Sequence, residues 1–332
     1  MNSNRNIFFA TLIPFACAFY SISAQNSNKK IPRDTSYTIM GQYKKYVKDY
    51  PEIKPGKDSL PENVKAKRNV VYTTLKDTPY GDRDLHLDIF YPKKPGEYPA
   101  LIMIHGGAWV TGDKSMQVPM AQKLAAKGYV TICVEYQLTL EAKYPAAVFN
   151  IKSAIRWMRA NAEKYNINTK KIGISGSSAG GQLAMLVGLT NGVKSKEGNH
   201  GNLDHPSDVN AIIDLDGVIN FMAPRSLNSE RKQNSPDVKW LGGTFEENPK
   251  NWKDASSIYW ANENSVPILF INSNYPRFHA GQDELIAMMT DWGIYTEVKK
   301  MNLNAHAFWL FEPWIDTTVN YMDAFLIKVF NN

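Results

Sequence analysis

One serine in this sequence stands in a setting that could make it a nucleophile. Gly176-Ser177-Ser178-Ala179-Gly180-Gly181 fits the pattern G-x-S-x-G, between an apolar run and a helix-forming run. A hydroxyl on a sharp strand-to-helix turn stands clear of the chain. Its neighbours must be small, because bulky ones would strike the adjacent strand. The N-terminus of the following helix favours negative charge beside Ser178. Ser177 falls one residue early for this turn. An incidental serine in a glycine-rich turn is the bland alternative, and the strand and helix on either side argue against it.

A second group, His105-Gly106-Gly107-Ala108-Trp109, directly follows the apolar run 100–104. Attack on an ester carbonyl moves charge onto its oxygen, and N–H donors must already point there. A Gly-Gly turn lets the backbone approach without side-chain obstruction. The amides of Gly107, Ala108 and Ala179 are therefore the expected oxyanion hole, and His105 is expected to hold the loop.

These groups need a scaffold, and the patterning supplies one. Residues 69–75 and 85–91 alternate apolar and polar, as half-buried antiparallel strands do. Residues 100–104 and 129–135 are apolar runs suited to central strands, and 171–175, 210–215, 267–271 and 295–299 complete the strand set. Helices are expected over 120–127, 147–165, 179–189, 283–292 and 315–330; in the second, Val148, Ile151, Ile155 and Met158 share one face. Strands alternating with helices imply a mainly parallel twisted sheet with helices on both faces, an α/β fold. Residues 25–66 are polar and broken by Pro51, Pro55 and Pro61, so they read as an N-terminal arm with one helix near 37–48. A single catalytic domain spans 67–332, with no boundary for a second. The irregular stretch 221–265 is the expected place for a cap-like insertion.

Three segments, HGGAW (105–109), EYQLTLEAKYPAAVFNIKSAIRWMRANAEKYNI (135–167) and KIGISGSSAGGQLAML (171–186), resemble the α/β-hydrolase branch of hormone-sensitive-lipase-like esterases and bacterial carbohydrate esterases. The resemblance covers roughly residues 69–330. It implies the α/β-hydrolase fold and serine-esterase chemistry, with an acyl-enzyme on Ser178. This fold orders its triad serine, acid, histidine. His306 follows the strand at 295–299 and precedes the last helix, so it can reach back to Ser178 as the base. His279 is its competitor and reads better as a substrate contact.

The acid departs from pattern. Relatives carry it just after the strand matching 266–271, where this chain has Asn272-Ser273-Asn274-Tyr275-Pro276-Arg277, without a carboxylate. Asn274 could orient an imidazole but brings no charge. Asp216, ending the preceding strand, is the first choice. Asp283, which could simply cap a helix start, and Asp214, deeper in the same strand, remain alternatives.

The segments FHAGQD (278–283) and AHAFWLF (305–311) resemble an exported group of carbohydrate esterases, some similar to pectin methylesterases and others to acetylesterases of xylan or pectin. That resemblance implies an esterified, acidic polysaccharide as substrate. Trp109, Trp309 and Trp314 could stack on sugars, with core packing as the alternative for each. Arg225 and Arg277 could pair with uronate carboxylates, although each could equally be a solvated surface residue. Feruloyl, glucuronoyl or xylan acetyl esterase activity is the neighbouring reading. A catalytically inactive binding protein on the same fold is the reading from another class, supported by the missing acid.

Composition sets the outer bounds. The chain has 332 residues, is 43% hydrophobic and 21% charged, and has length enough for one large core. Its net charge of +6 is spread along the chain, which argues against nucleic-acid binding and suits a polyanionic substrate. Arg5, the apolar run 7–20 and the small residues ending at Ala24 read as a signal peptide over 1–24, so a secreted or periplasmic location is expected. No run reaches the length of a membrane span. Lipoprotein anchoring at Cys17 is the disfavoured rival, because Pro14 and Phe15 fit that signal poorly. Cleavage leaves Cys133 alone in an apolar strand, a buried structural thiol rather than a disulfide partner. The histidines lack metal-ligand spacing and no nucleotide loop is present, so neither metal nor cofactor is expected.

Overall fold

A computed structural model of the chain describes residues 30–228 and 230–331. The expected leader at 1–24, Cys17 included, lies outside the described residues.

Two strands form a small antiparallel sheet apart from the rest: β1 (Lys54–Pro55), in the N-terminal arm, pairs with a strand at Phe311–Glu312. The main sheet holds eight strands. They are β2 (Val64–Thr78), β3 (Gly81–Pro92), β4 (Tyr98–Ile104), β5 (Val130–Val134), β6 (Ile167–Ser177), β7 (Ala211–Leu215), β8 (Ile268–Asn272) and β9 (Thr296–Lys300). The partner of β1 is then β10. The order across the main sheet is β2-β3-β5-β4-β6-β7-β8-β9. The hairpin β2–β3 and the pair β3–β5 are antiparallel, and every pairing from β5 to β9 is parallel. This is the α/β fold expected from the alternation of strands and helices.

The central strands are buried on both faces because their side chains alternate between two apolar cores. In β4, Ala100, Ile102 and Ile104 join one core, and Leu101 and Met103 the other. Ile212 and Ile213 of β7 divide in the same way, as do Phe270 and Ile271 of β8. The first core is covered by the helices Ala146–Ala160 and Ala179–Leu189. The second is covered by Val118–Ala126 and Trp314–Phe330. All residues of Ala179–Leu189 are buried, so the helix behind Ser178 is fixed from every side. Cys133 belongs to the second core, and burial pushes its thiol well above the ordinary range.

The structure differs from the sequence reading in two places. The helix expected over 147–165 breaks at Asn161, and a short turn Ala162–Tyr165 follows. The described residues of the stretch 221–265 contain three short α-helices, Pro224–Leu227, Pro236–Leu241 and Pro249–Asp254, each opened by a proline at its first position, and a 3-10 turn at Ser257–Trp260. The polar arm has its expected helix, at Ile39–Tyr46, which sets Tyr43 and Tyr46 against Phe311, and Arg33 pairs with Glu135 at 2.9 Å. None of the helices among the described residues is long and apolar enough to cross a membrane.

Candidate active site

Ser178 sits between the end of β6 and the helix Ala179–Leu189, with φ 56° and ψ −119°. That backbone region is costly for a residue with a side chain, about 1–3 kcal/mol, and is held only by surrounding structure. The constraint is visible at Gly176, where an added Cβ would lie 1.9 Å from the carbonyl oxygen of Gly180. The turn thus closes only around bare backbone. Ser177 is fully buried and its hydroxyl accepts from Gln117 Nε2 at 3.1 Å, which removes it as a nucleophile.

The structure brings His306 to Ser178 and Asp216 to His306. His306 Nε2 is 2.8 Å from Ser178 Oγ, and His306 Nδ1 is 2.9 Å from Asp216 Oδ2. A carboxylate only accepts, so Nδ1 carries the proton, and Nε2 is left to accept the serine hydroxyl. The imidazole is gripped on its faces as well. Phe278 stacks on it at 3.6 Å and 8°, and Trp309 meets it edge-on at 5.0 Å and 84°. Burial lowers the basicity of His306, and the hydrogen bond and charge of Asp216 oppose that effect.

Asp216 directly follows β7, with φ 52°, and is almost fully buried. Burial alone would raise its carboxyl, but donors from His279, His306 and Ser273 outweigh it and hold the group below the ordinary carboxylate value. The rival acids lie elsewhere. Asp214 is buried, accepts the Gly217 amide at 2.9 Å, and is pushed well up by burial and by the charge of Asp216. Asp283 is exposed and lies 3.9 Å from Arg225. Asn274 donates to Asn304 rather than to an imidazole.

The segment expected to stabilise an oxyanion lies beside the serine. Gly107, Ala108 and Trp109 have φ values of 120°, 51° and 61°, a reversal closed by the amides of Val110 and Thr111 on the Gly107 carbonyl. Ala179 opens its helix, so its amide is among those a helix leaves unsatisfied. Ala108 and Ala179 both face the cavity at Ser178. His105 is buried, stacks on Tyr136 at 4.5 Å, and sets Nδ1 2.8 Å from the Gly106 carbonyl, so it braces the loop from behind.

The cavity at Ser178 is about 200 Å³, and Arg225, Arg231 and Arg277 are in its wall with Trp109 and Phe278. The 221–265 stretch supplies one side of it through Arg225, Arg231 and Asp237. Arg231 pairs with Asp237 at 2.5 Å, whereas the Arg277 guanidinium lies 4.5 Å over the Phe278 ring. Trp109 faces the cavity while stacking on Trp240 at 4.8 Å and donating to Gln182 at 3.0 Å.

The remaining expected substrate contacts need correcting. Trp309 is 1% exposed, so it supports His306 from within the core and cannot stack on a sugar. Trp314 is 7% exposed because Tyr50 of the arm covers it edge-on at 5.0 Å. His279 turns to Asp216, with Nε2 3.3 Å from Oδ1. The sequence reading also passed over Ser273 and Phe278. Both lie in the run 272–279, where the sequence points to a missing carboxylate and to Arg277 and His279 but gives neither Ser273 nor Phe278 a role. Among the described residues, no cluster of His, Cys, Asp or Glu could hold a metal ion.

Comparison with known proteins agrees with this architecture. A family model described as BD-FAE matches residues 87–288. Esterase LipC of Mycobacterium tuberculosis is 29% identical over 228 residues, covering 66% of this chain and 55% of its own length. The chain thus spans about half of that relative. A structure titled as a truncated carbohydrate esterase from gut microbiota superposes with a TM-score of 0.70 at 26% identity, over 84% of this chain and 99% of its own. A second, titled as a bifunctional GH43-CE from Bacteroides eggerthii, gives a TM-score of 0.68 at 26% identity, over 82% of this chain and 36% of its own.

Proposed function

Because the chain belongs to the BD-FAE family, within the α/β-hydrolase esterases, we propose that it is a serine carboxylic-ester hydrolase acting on an esterified, acidic plant polysaccharide. One observation carries the reading: Ser178, His306 and Asp216 form a continuous hydrogen-bonded chain that opens into a cavity whose wall holds three arginines, Arg225, Arg231 and Arg277, with Glu230 and Asp237.

In this reading Ser178 Oγ attacks the ester carbonyl as His306 Nε2 takes its proton. The amides of Gly107, Ala108 and Ala179 hold the oxyanion. The C–O bond to the alcohol breaks, and the alcohol leaves with the proton from His306. Water, deprotonated by the same imidazole, then attacks the acyl-enzyme and releases the acid. With a methyl ester, methanol leaves and the uronate stays bound as acyl group. With an acetyl ester the sugar leaves first.

The carbohydrate esterases among the structural neighbours support a sugar substrate. Arg225 and Arg277 suit uronate carboxylates in the adjoining sugars, and the small exposed part of Trp109, 8%, adds apolar surface beside them. The leader-like first 24 residues and the spread positive charge support a secreted or periplasmic enzyme meeting a polyanion outside the cytoplasm.

The test assays methanol and acetate release from pectin side by side, with the Ser178→Ala variant as control. Release of either product by the parent and not by the variant is expected. Release of neither, by a protein that still hydrolyses p-nitrophenyl acetate, rejects the pectin substrate. Failure of Ser178 to react with a fluorophosphonate probe rejects the enzyme reading itself.

A further inference from the structure

The loop that lacks the acid still serves it. Where relatives place their carboxylate after the strand matching β8, this chain has Ser273, Phe278 and His279. All three reach the base and acid supplied from elsewhere. Ser273 donates its amide to Asp216 Oδ1 at 2.8 Å and its hydroxyl to Asp216 Oδ2. Phe278 covers one face of His306. His279 approaches Asp216 Oδ1 with Nε2 at 3.3 Å.

We propose that His279 is a positioning residue of the triad, holding Asp216 so that Oδ2 stays aimed at His306. This rests on the esterase reading above and reassigns His279 from substrate to acid. The physical case is one of geometry. Asp216 directly follows β7, whereas His306 follows β9, two strands away across β8. A carboxylate at the end of one strand can rotate about its side chain, and each rotation moves Oδ2 away from Nδ1. Two oxygens gripped by three further donors leave one orientation. Of those donors, Ser273 N and Oγ come from the chain immediately after β8. Only His279 reaches the carboxylate from the turn Pro276–His279, and so ties that turn to the acid.

The charged and titratable groups around this carboxylate come from several elements. Asp214 is two residues back in β7, His306 faces it from beyond β9, and Arg277 acts on His306 from beside His279. His279 reaches Asp216 only through Nε2, so a carboxylate acceptor requires the proton there, with Nδ1 open in the neutral ring. An amide N–H in the same place can make the same bond, whereas an apolar ring cannot. Glutamine thus becomes the conservative replacement and phenylalanine the disruptive one.

The experiment compares His279→Phe and His279→Gln with the parent on p-nitrophenyl acetate, a substrate too small to need a sugar contact. The parent and Ser178→Ala are assayed first, so that an inactive parent indicts the esterase reading and not this one. His279→Phe is expected to lower kcat about 10- to 100-fold with KM little changed, the range for a misplaced catalytic group and less than the ~10⁴-fold loss of the acid itself. It should also remove or shift the far-downfield proton resonance of His306 Nδ1–H in a protein whose thermal unfolding stays cooperative. His279→Gln should recover most of kcat and the resonance. If His279→Phe keeps parental kcat and the downfield proton, or raises KM alone, His279 does not position the acid. Equal loss in both variants also overturns the proposal. Should His279→Phe fail to fold, His279→Leu takes its place as the apolar variant, with the same results supporting or rejecting the role.

Discussion

Oδ2 of Asp216 stands 2.9 Å from Nδ1 of His306, although the two residues are 90 positions apart in sequence. The bond crosses the end of β8 and joins a carboxylate just after β7 to an imidazole beyond β9. In the proposed reaction it would fix the tautomer of the base and give the developing imidazolium an anion 2.9 Å away. Asp216→Asn should therefore lower kcat by about 10⁴-fold with little change in KM, because an amide cannot stabilise the charge and can favour the wrong tautomer. Asp283→Asn should leave kcat near parental, since Asp283 is exposed and lies beside Arg225. Steady-state kinetics on a soluble ester measures both, and equal effects from the two variants would reassign the acid.

Burial, the largest influence on His306, lowers its basicity below the free histidine value of 6.5, and Arg277 adds to this while Asp216 opposes it. The base works only when neutral, so activity is lost as pH falls through the His306 pKa. The acid limb of kcat/KM should therefore have its midpoint below 6.5. A pH profile measured on p-nitrophenyl acetate checks this, and a midpoint at or above that value contradicts the described burial.

Much of this arrangement was legible in the sequence because it rests on local rules. The two-residue alternation of β2 and β3 and the apolar runs of β4 and β5 reflect which faces are covered. The Gly176 to Gly180 spacing reflects a backbone contact that admits no Cβ. Chain order then singled out His306. What stayed hidden depends on long-range contacts. Trp309 and Trp109 are both buried indoles near candidate site residues, yet Trp109 also reaches the cavity wall and Trp309 does not, and nothing local to either distinguishes them. His279 looked like a substrate contact because its partner, Asp216, lies 63 residues away. The short helices between Pro224 and Asp254 escaped notice because four to six residues carry too little periodicity to read.

The elbow makes a stability prediction. A methyl group at position 176 would meet the Gly180 carbonyl oxygen at 1.9 Å, with the Gly180 carbonyl carbon and the Gly181 amide nitrogen next nearest. These are backbone atoms of a buried helix, so no side chain can move aside. Gly176→Ala should cost about 3 kcal/mol or more, at the upper end for overpacking. It should also displace Ser178 enough to abolish fluorophosphonate labelling. Thermal unfolding and probe labelling together test it, and a labelled variant of parental stability would contradict the close packing.

Acid should loosen the N-terminal arm. Glu135 joins Arg33 of the arm to Arg83 and His86 of β3. Burial pushes its carboxyl upward, but Arg83 chiefly, with the amide and ring of His86, brings it down to about 2 from an ordinary 4.5. A depressed carboxyl stabilises the fold above its unfolded value, and that stability is lost as pH falls from about 4.5 toward 2. Glu135→Gln should lower stability at neutral pH by about 2–3 kcal/mol and flatten the dependence of Tm on pH across that window. Identical pH dependence in parent and variant would show that another group controls acid unfolding.

Arg277 provides the test of substrate charge. Its guanidinium stands at the cavity wall over the Phe278 ring, and Phe278 in turn stacks on His306, so Arg277 is joined to the imidazole through that one ring. Arg231, in the same wall, is already committed to Asp237. Replacing Arg277 by glutamine keeps a polar side chain and removes the charge. KM for an anionic ester, such as a partly methylated oligogalacturonate, should rise about tenfold, the scale of one charge-assisted hydrogen bond. A neutral acetate ester should be affected far less in KM, although its acid limb should move to higher pH because Arg277 no longer lowers the basicity of His306. Added salt should raise KM for the anionic ester in the parent more than in the variant, since screening acts on the same charge the substitution removes. A variant that loses affinity equally for charged and neutral esters would place Arg277 in the shape of the cavity, not in recognition of charge.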